Sequence, residues 1–344
     1  NLFILKLAPL ISNYLSLIPK LLIFYFILYK DSYLTDKFQY KLVFCLLILL
    51  SPFNVPEIWL NSINSQLFFC ILSFLVLFSK NDKKNINHFN LLIILIAGFT
   101  GVYTCVLTPV FLFKYLKFKT SQDKYNLIIL IFCTISQFIL VVFSKLSRAL
   151  YEGKLHAVDI NLIYNYVYNV PIKAFLGRNL TQFFFHSLNF NIKSVFIFFC
   201  IFSLFILTYL IYYFKKNPNI FNSNKFIINS LFYAFISTSL LTLIGGTGQY
   251  VGGRYAALPS FYLITLALFL AIITNELNLK IFFHLILLIS ILSGAYEFKN
   301  NNKFKKYLIC FNCPNWSSEV EKFNKNSNYN IKIWPYPEKT MKLN

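Results

Sequence analysis

Residues 226–273 read FIINSLFYAFISTSLLTLI, then GGTGQYVGGRYAA, then LPSFYLITLALFLAII. Two long apolar runs therefore flank a loop that holds five glycines and one arginine, Arg254, the only lysine or arginine between Lys225 and Lys280. A guanidinium beside a bilayer is costly, and the glycines let the backbone approach a ligand closely. The stretch predicts transmembrane helices with a polar pocket between them, suited to an anionic or phosphate-bearing partner.

The rest of the chain repeats this alternation of apolar runs and polar loops. Of its 344 residues, 57% are hydrophobic and 13% charged, which excludes a soluble domain of this size and predicts an all-α, polytopic bundle of transmembrane helices. Several apolar segments are shorter than the ~20 residues that cross a bilayer squarely, so we expect tilted helices or re-entrant pairs, the latter around Gly98 and Gly101. The segments, about ten in all, are 10–29, 41–50, 66–78, 89–97, 103–113, 125–144, 194–214, 226–244, 258–273 and 281–296.

The lysines fall in short clusters between these segments. If the segments alternate strictly in direction, the clusters around Lys83, Lys119 and Lys216 share one side, which we expect to be cytoplasmic because short cytoplasmic loops are rich in lysine. The short loops of the other side carry only Arg254; they are 51–65, 98–102 and 245–257. The net charge of +20 follows this topology without a basic face or recognition motif, which argues against nucleic-acid binding.

Two regions follow from this topology. Residues 1–296 form the transmembrane helical domain, whose outer loops are 51–65, 145–193 and 245–257, and residues 297–344 form a small polar tail on the outer side. Because the chain begins with Asn1 and its single methionine is Met341, we expect the natural N-terminus to lie upstream.

The cysteines and the ionisable loop residues give no strong motif. Five of the seven cysteines lie in apolar segments, where cysteine behaves as a small hydrophobe. Cys310 and Cys313 form a C-x-x-C pair in the tail, read either as a disulfide or as two free thiols. Glu152 and His156 are spaced i, i+4, but no metal-ligand motif accompanies them, so we expect no metal site. We interpret the other ionisable residues of that loop as solvated charges; they are Arg148, Asp159, Arg178 and His186.

The loop at 51–65 is the second candidate site. It contains no lysine or arginine but offers a carboxylate and two amides, Glu57, Asn61 and Asn64. If the loop continues into a helix, these side chains share one face and suit sugar hydroxyls or an acceptor. The alternative is a helix-entry loop whose amides cap backbone groups.

Arg254 itself also has two readings. In the first, it clamps a phosphate or pyrophosphate while Tyr255 or Gln249 holds a neighbouring group. In the second, Arg254 extends to lipid headgroups and Tyr255 anchors the helix at the interface. The flanking glycines favour the first, since an anchor does not need them.

Several short motifs recur in this order in one family of proteins. They are Pro52-x4-Glu57-Ile-Trp-Leu-Asn61-x2-Asn64-Ser-Gln66, Gly98-x2-Gly101, Thr108-Pro109, Gly253-Arg254-Tyr255-x3-Pro259, Trp316-x2-Glu319, Ile333-Trp334-Pro335 and Met341-x-Leu343. With these motifs the chain resembles poorly characterised bacterial inner-membrane proteins that are similar to the C-type (GT-C) glycosyltransferases, which depend on polyprenyl-phosphate sugars. The resemblance extends over nearly the whole chain.

The resemblance implies an outward-facing active site in the bacterial inner membrane and a polyprenyl-phosphate-linked sugar as co-substrate. In such enzymes an acidic residue of the first outer loop is the usual catalytic base. That loop is expected upstream of Asn1, so the catalytic residue is unassigned and Glu57 is only a second-loop substitute. The leading hypothesis is therefore a glycosyltransferase for cell-envelope glycans, with the bilayer and a lipid-linked glycan or sugar as partners.

Three other classes compete with this hypothesis. An O-antigen-type polymerase also uses outer-face arginines. A transporter or flippase of lipid-linked glycans is favoured by repeat symmetry and by charged residues deep within spans, and neither is evident in the sequence. A structural envelope subunit would leave Arg254 replaceable.

Overall fold

The computed structural model describes residues 2–51, 64–80, 86–152, 160–187, 192–245, 253–300, 315–326, 328–332 and 340–341. These residues are almost entirely helical, which confirms the all-α prediction. The helices are α1 (Leu2–Tyr29), α2 (Phe38–Leu50), α3 (Ser65–Phe78), α4 (His88–Thr100), α5 (Val102–Cys105), α6 (Thr108–Phe118), α7 (Ser121–Glu152), α8 (Ile160–Val167), α9 (Lys173–Ser187), α10 (Ile192–Lys216), α11 (Pro218–Gly245), α12 (Arg254–Ile273), α13 (Leu277–Asn300) and α14 (Trp316–Lys325). A π-helical turn (Tyr168–Ile172) joins α8 to α9, and two short antiparallel strands, β1 (Ile331–Lys332) and β2 (Thr340–Met341), follow α14.

Six of the described helices are long and apolar enough to cross a membrane, and the bent pair of α4 with α5–α6 makes a seventh if it is one span. The multi-pass membrane class is thereby supported. All ten apolar segments predicted from the sequence are helical, but α2 and α3 have only 13 and 14 residues. At 1.5 Å per residue these two helices are about 20 Å long, against about 30 Å for the hydrocarbon core.

The turns that follow α1, α3 and α6 lie at one end of the bundle, which we call the lysine end. Tyr33 N donates to Phe78 O over 2.9 Å, and the Tyr33 ring stacks on Phe118 at 5.4 Å. The ring of Phe226 in α11 contacts both Phe78 and Phe118, so the turn between α10 and α11 belongs to the same end. These contacts agree with the alternating direction expected for the helices. The opposite end, which holds the start of α12, is called the glycine end.

Helices α3 and α12 form the centre of the bundle. Twelve of the 14 residues of α3 and 14 of the 20 residues of α12 are buried. The two helices meet where the ring of Tyr262 packs edge-on against Phe74 at 4.8 Å, and where its hydroxyl lies 3.3 Å from the Sγ of Cys70. A helix that is apolar on all sides is stable inside a bundle, so the sequences of α3 and α12 explain their central position.

Which end faces the cytoplasm remains a prediction, and cysteine labelling in intact cells tests it. We expect a membrane-impermeant thiol reagent to label Ser317→Cys in α14 but not Lys119→Cys at the lysine end, in a background without the seven native cysteines. Both positions are exposed, so accessibility is matched. Labelling at position 119 with none at position 317 would reverse the orientation.

The stretch 145–193, expected to be a long outer loop, is mostly helical where it is described. Helix α7 continues to Glu152, and α8, the π turn and α9 lie between it and α10. Gly177 interrupts α9 at a φ of 71°, and the carboxylate of Glu297 accepts a hydrogen bond from the backbone N–H of Arg178 there. Arg148 and His186 also fall on helices, whereas His156 and Asp159 lie outside the described residues.

The described part of the tail is organised around one buried carboxylate. Glu319 on α14 is 1% exposed, and its oxygens accept hydrogen bonds from Lys322 Nζ, Tyr329 OH and Lys332 N, each at 2.7–3.0 Å. Burial opposes ionisation of Glu319, but these three donors outweigh it and lower its pKa to about 2. Helix α14 also contacts α1, which ties the tail to the transmembrane domain.

The Glu319 network should make the tail acid-sensitive. Because the folded-state pKa lies below the unfolded value near 4.3, its stabilisation is complete above about pH 4.3 and declines as pH falls toward 2. We expect a loss of about 1–2 kcal/mol across that window, limited because water screens the half-exposed Lys322. Hydrogen exchange of the α14 amides measures it. Glu319→Gln should abolish the pH dependence, whereas Glu321→Gln, at an exposed carboxylate of the same helix, should preserve it; loss in both variants would contradict the assignment.

Candidate functional site

The candidate site begins at the N-terminus of α12. Arg254 is the first residue of this helix and Gly253 precedes it with a φ of 59° and a ψ of −131°, a conformation that strains any residue with a side chain. The sequence predicts a span from about Leu258, so the helix begins four residues earlier than expected. Gly253 therefore fixes the point at which the chain turns into the helix.

The start of α12 is stabilised from α11. Pro259 lies inside α12 and has no N–H, so it cannot donate to the carbonyl of Tyr255 one turn earlier. The buried hydroxyl of Thr242 donates to that carbonyl instead, over 2.8 Å. The Tyr255 carbonyl therefore keeps a hydrogen-bond partner although Pro259 cannot supply one, and the same bond holds the start of α12 against α11.

Arg254 and Tyr255, both predicted as site residues, lie in direct contact. The guanidinium carbon is 5.1 Å from the ring centroid of Tyr255, and Nη2 donates to the phenolic oxygen over 3.2 Å. Arg254 is exposed and Tyr255 is half-buried. The positive end of a helix adds to the charge of Arg254, and this combination favours a bound anion.

Tyr103, in α5 just after the break between α4 and α5, lies within the range of electrostatic interaction with this pair. The two arms of the pair are bent by 119° with Gly101 between them, which agrees with the predicted break at Gly98–Gly101. The hydroxyl of Tyr103 interacts electrostatically with Tyr255 and Arg254. Its backbone carbonyl accepts a hydrogen bond from Cys70 Sγ of α3 at 3.3 Å. Tyr103 was not predicted as a site residue, because the residues near it in space are distant from it in the sequence.

The beginning of α3 packs against the same break. Asn64 is the N-cap residue of α3 and is 2% exposed. Two residues later, the Gln66 side chain lies so close to Gly101 that a Cβ there would be 2.2 Å from Gln66 Oε1. The absence of a side chain at Gly101 thus lets Gln66, at the start of α3, pack closely against the break between α4 and α5.

The remaining predicted residues of the site, Glu57, Asn61 and Gln249, lie outside the described residues. The expectation that Glu57 and Arg254 open onto a common outer cavity therefore stays a prediction.

The structure contradicts the expectation that no charge lies deep within a span. Lys20 is near the middle of the candidate span Leu10–Tyr29 and is 4% exposed. Its Nζ donates to the Ser16 carbonyl over 3.0 Å and lies 4.8 Å from the ring centroid of Phe68 on α3. The signal was present in the sequence, since a lone lysine in an apolar run is itself a functional-site candidate.

Lys114 belongs to the lysine cluster around Lys119, but it lies on α6 and forms a buried ion pair. Its Nζ lies 3.0 Å from Asp123 Oδ1, and both side chains are at most 3% exposed. Thr120 donates to the other carboxylate oxygen of Asp123 over 2.6 Å, and Lys114 donates to the Ser79 carbonyl over 3.4 Å. The pair therefore joins α3, α6 and α7 at the lysine end.

The described residues were also searched for a metal site and for reactive cysteines. There, no three His, Cys, Asp or Glu side chains are grouped so as to hold a metal ion. Four cysteines of the apolar segments are buried and Cys200 is half-buried, which agrees with their reading as small hydrophobes. Cys310 and Cys313 lie outside the described residues.

Comparison of the chain with protein-family models, with curated protein sequences and with solved structures finds no match. The described site residues are therefore the basis for any functional conclusion: a guanidinium stacked on a phenol at a helix N-terminus, at one end of the bundle. Groups of this kind have the chemistry to bind an anion and to stabilise developing negative charge.

Proposed function

We propose that this chain is a GT-C-like membrane glycosyltransferase, which uses a lipid-linked sugar donor for cell-envelope glycan assembly in a bacterial inner membrane. The observation that supports it best is the contact between Arg254 and Tyr255 at the start of α12. An anion site at the end of a membrane bundle suits a phosphate that is attached to a lipid and so stays at the bilayer surface.

In this reaction Arg254 would stabilise the leaving group, the polyprenyl phosphate. When the bond between the sugar and its phosphate breaks, the electron pair goes to the departing polyprenyl phosphate. A guanidinium donates two parallel hydrogen bonds to such an anion, and the α12 dipole adds to the stabilisation. Asn61 and Asn64 would contact the sugar or acceptor, and Glu57 is the second-loop candidate for the base.

The proposal is tested with polyprenyl phosphate itself, because every donor of this class shares it. We expect polyprenyl phosphate to raise the melting temperature of the detergent-solubilised full chain more than neutral polyprenol does. Arg254→Gln should remove that difference, whereas Arg178→Gln, at an exposed arginine on α9, should retain it. Equal shifts with the phosphate and the alcohol in the unaltered protein would refute the anion site.

A second candidate, transport of lipid-linked glycans, is favoured by two observations. Lys20 is buried at mid-span, and the α4–α5 pair is broken, a combination of features found where transporters bind substrate near the bilayer midplane. Proteoliposomes with a fluorescent lipid-linked glycan in both leaflets distinguish the two classes. If the chain is a transferase, the labelled glycan should move between leaflets no faster than in protein-free vesicles. Faster movement that is lost in Lys20→Met would favour the transporter.

A further inference from the structure

Lys117 lies at the seam between the end of α6 and the beginning of α11, at the lysine end of the bundle. Its Nζ is 5.3 Å from the ring centroid of Phe118 and 5.3 Å from that of Phe226, so rings from both helices hold one ammonium group in place. Lys117 is nevertheless exposed, and among the described residues it forms no ion pair. A cation that is already held in position loses little side-chain entropy when it binds an anion.

A second lysine, Lys225, borders the same seam. It directly precedes Phe226 on α11, is exposed, and also forms no ion pair with a described residue. The two carboxylates that form ion pairs at this end, Asp36 and Asp123, are each bound to another lysine. The seam therefore carries two positive charges without a counter-charge in the described part of the chain.

Exposed apolar side chains begin just below these charges. Phe113 precedes Lys117 by four residues on α6, so it lies one turn, about 6 Å, further from the lysine end. Phe113 is 42% exposed and its ring contacts that of Phe226 at 5.7 Å, while the neighbouring Leu116 is 58% exposed. Both helices thus change from charged to apolar at the same level, as expected at the boundary between lipid head groups and hydrocarbon.

We propose that this seam binds one anionic phospholipid from the leaflet at the lysine end, with its phosphate between Lys117 and Lys225 and an acyl chain against Phe113 and Leu116. A zwitterionic lipid carries its own ammonium group, which two lysines repel, so a head group with net negative charge is selected. A soluble anion has no acyl chain to cover Phe113. The site lies at the opposite end of the bundle from Arg254 and does not depend on glycosyl transfer.

Native mass spectrometry of the full chain in mild detergent, with equal amounts of phosphatidylglycerol and phosphatidylcholine of identical acyl chains, tests the site. We expect the first lipid retained by the unaltered protein to be phosphatidylglycerol. Lys117→Gln/Lys225→Gln should lower this preference roughly tenfold. Lys37→Gln/Lys280→Gln, which removes the same charge from exposed positions at the same end, should preserve it. No preference in the unaltered protein, or equal losses in the two double variants, would overturn the proposal.

A second measurement avoids substitution and so does not depend on the folding of a variant. Phosphatidylglycerol with a photoreactive group on its head group is bound to the unaltered protein in detergent and illuminated. We expect the label to concentrate in peptides that contain residues 113–119 and 222–229, and to be displaced by unlabelled phosphatidylglycerol but not by glycerol phosphate at the same concentration. Displacement by glycerol phosphate would indicate a site for soluble anions, and equal labelling of residues 37–41 would indicate diffuse attraction to the lysine end. Either result would reject the lipid site.

Discussion

Replacing Arg254 with alanine is expected to lower the rate of glycosyl transfer by roughly 30- to 1,000-fold, because a charge-assisted contact in a poorly hydrated site contributes on the order of 2–4 kcal/mol to the transition state. Arg254→Lys should be almost as inactive. An ammonium group cannot reproduce the planar fork that binds two phosphate oxygens, nor the stacking of the guanidinium on Tyr255. Complementation of a deletion strain, with protein levels matched by immunoblot, gives the measurement.

The lysine variant separates the two readings of Arg254. If the guanidinium only reaches lipid headgroups, lysine should substitute well, since both side chains are long enough. Arg178→Lys on α9 serves as the control for a general effect of exchanging an exposed arginine at the glycine end, and it should retain activity. Full activity of Arg254→Lys would leave Arg254 as an interfacial anchor and remove the main argument for a phosphate-bearing substrate.

Asp123→Ala should destabilise the protein by about 3–5 kcal/mol, the second large effect we expect. The substitution leaves the Lys114 ammonium buried without its carboxylate, in surroundings where both side chains are at most 3% exposed. The loss should appear as a lower melting temperature in detergent and as a lower level of protein in the membrane.

The exposed pair of Lys80 and Asp36 provides the control. Its closest N–O distance is 2.7 Å, but its side chains are 41% and 64% exposed, so Asp36→Ala should cost less than about 1 kcal/mol. The double variant Lys114→Met/Asp123→Leu should recover much of the stability, because no unpaired charge remains. Equal losses in Asp36→Ala and Asp123→Ala would mean that burial does not govern the cost.

The positions of the transmembrane helices were predictable because each apolar run must satisfy its own backbone hydrogen bonds in lipid. The predicted segment began at Leu258, four residues after the start of α12, because the donor that replaces the missing N–H of Pro259 is Thr242 on α11 and depends on packing. Helices α8 and α9 were read as loop because Pro171, Gly177 and scattered polar residues interrupt their short apolar stretches. The packing of α9 depends on tertiary contacts such as the hydrogen bond from Ser290 Oγ to the Ala174 carbonyl, 2.8 Å long.

The site was predictable where composition is unusual and not where it depends on packing. Arg254 and Tyr255 could be selected because a cation and glycines interrupt a long apolar region. Tyr103 carries no such signal among 23 tyrosines, and only its electrostatic interaction with Arg254 distinguishes it. The buried ion pair of Lys114 was not predictable, because Lys114 resembles its neighbours Lys117 and Lys119 in sequence and its partner Asp123 lies nine residues further on.

The shortness of α3 and α4 has an electrical consequence. These helices extend about 20 Å from the lysine end, whereas α12, with 20 residues, extends about 30 Å. Where water fills the space between Thr100 and the glycine end, the insulating layer is about a third thinner, and the membrane voltage would fall across that thinner barrier. One elementary charge moved through 100 mV corresponds to about 2.3 kcal/mol. We therefore expect the membrane potential to act on Lys20, which is buried against Phe68 of α3 near the middle of the candidate span.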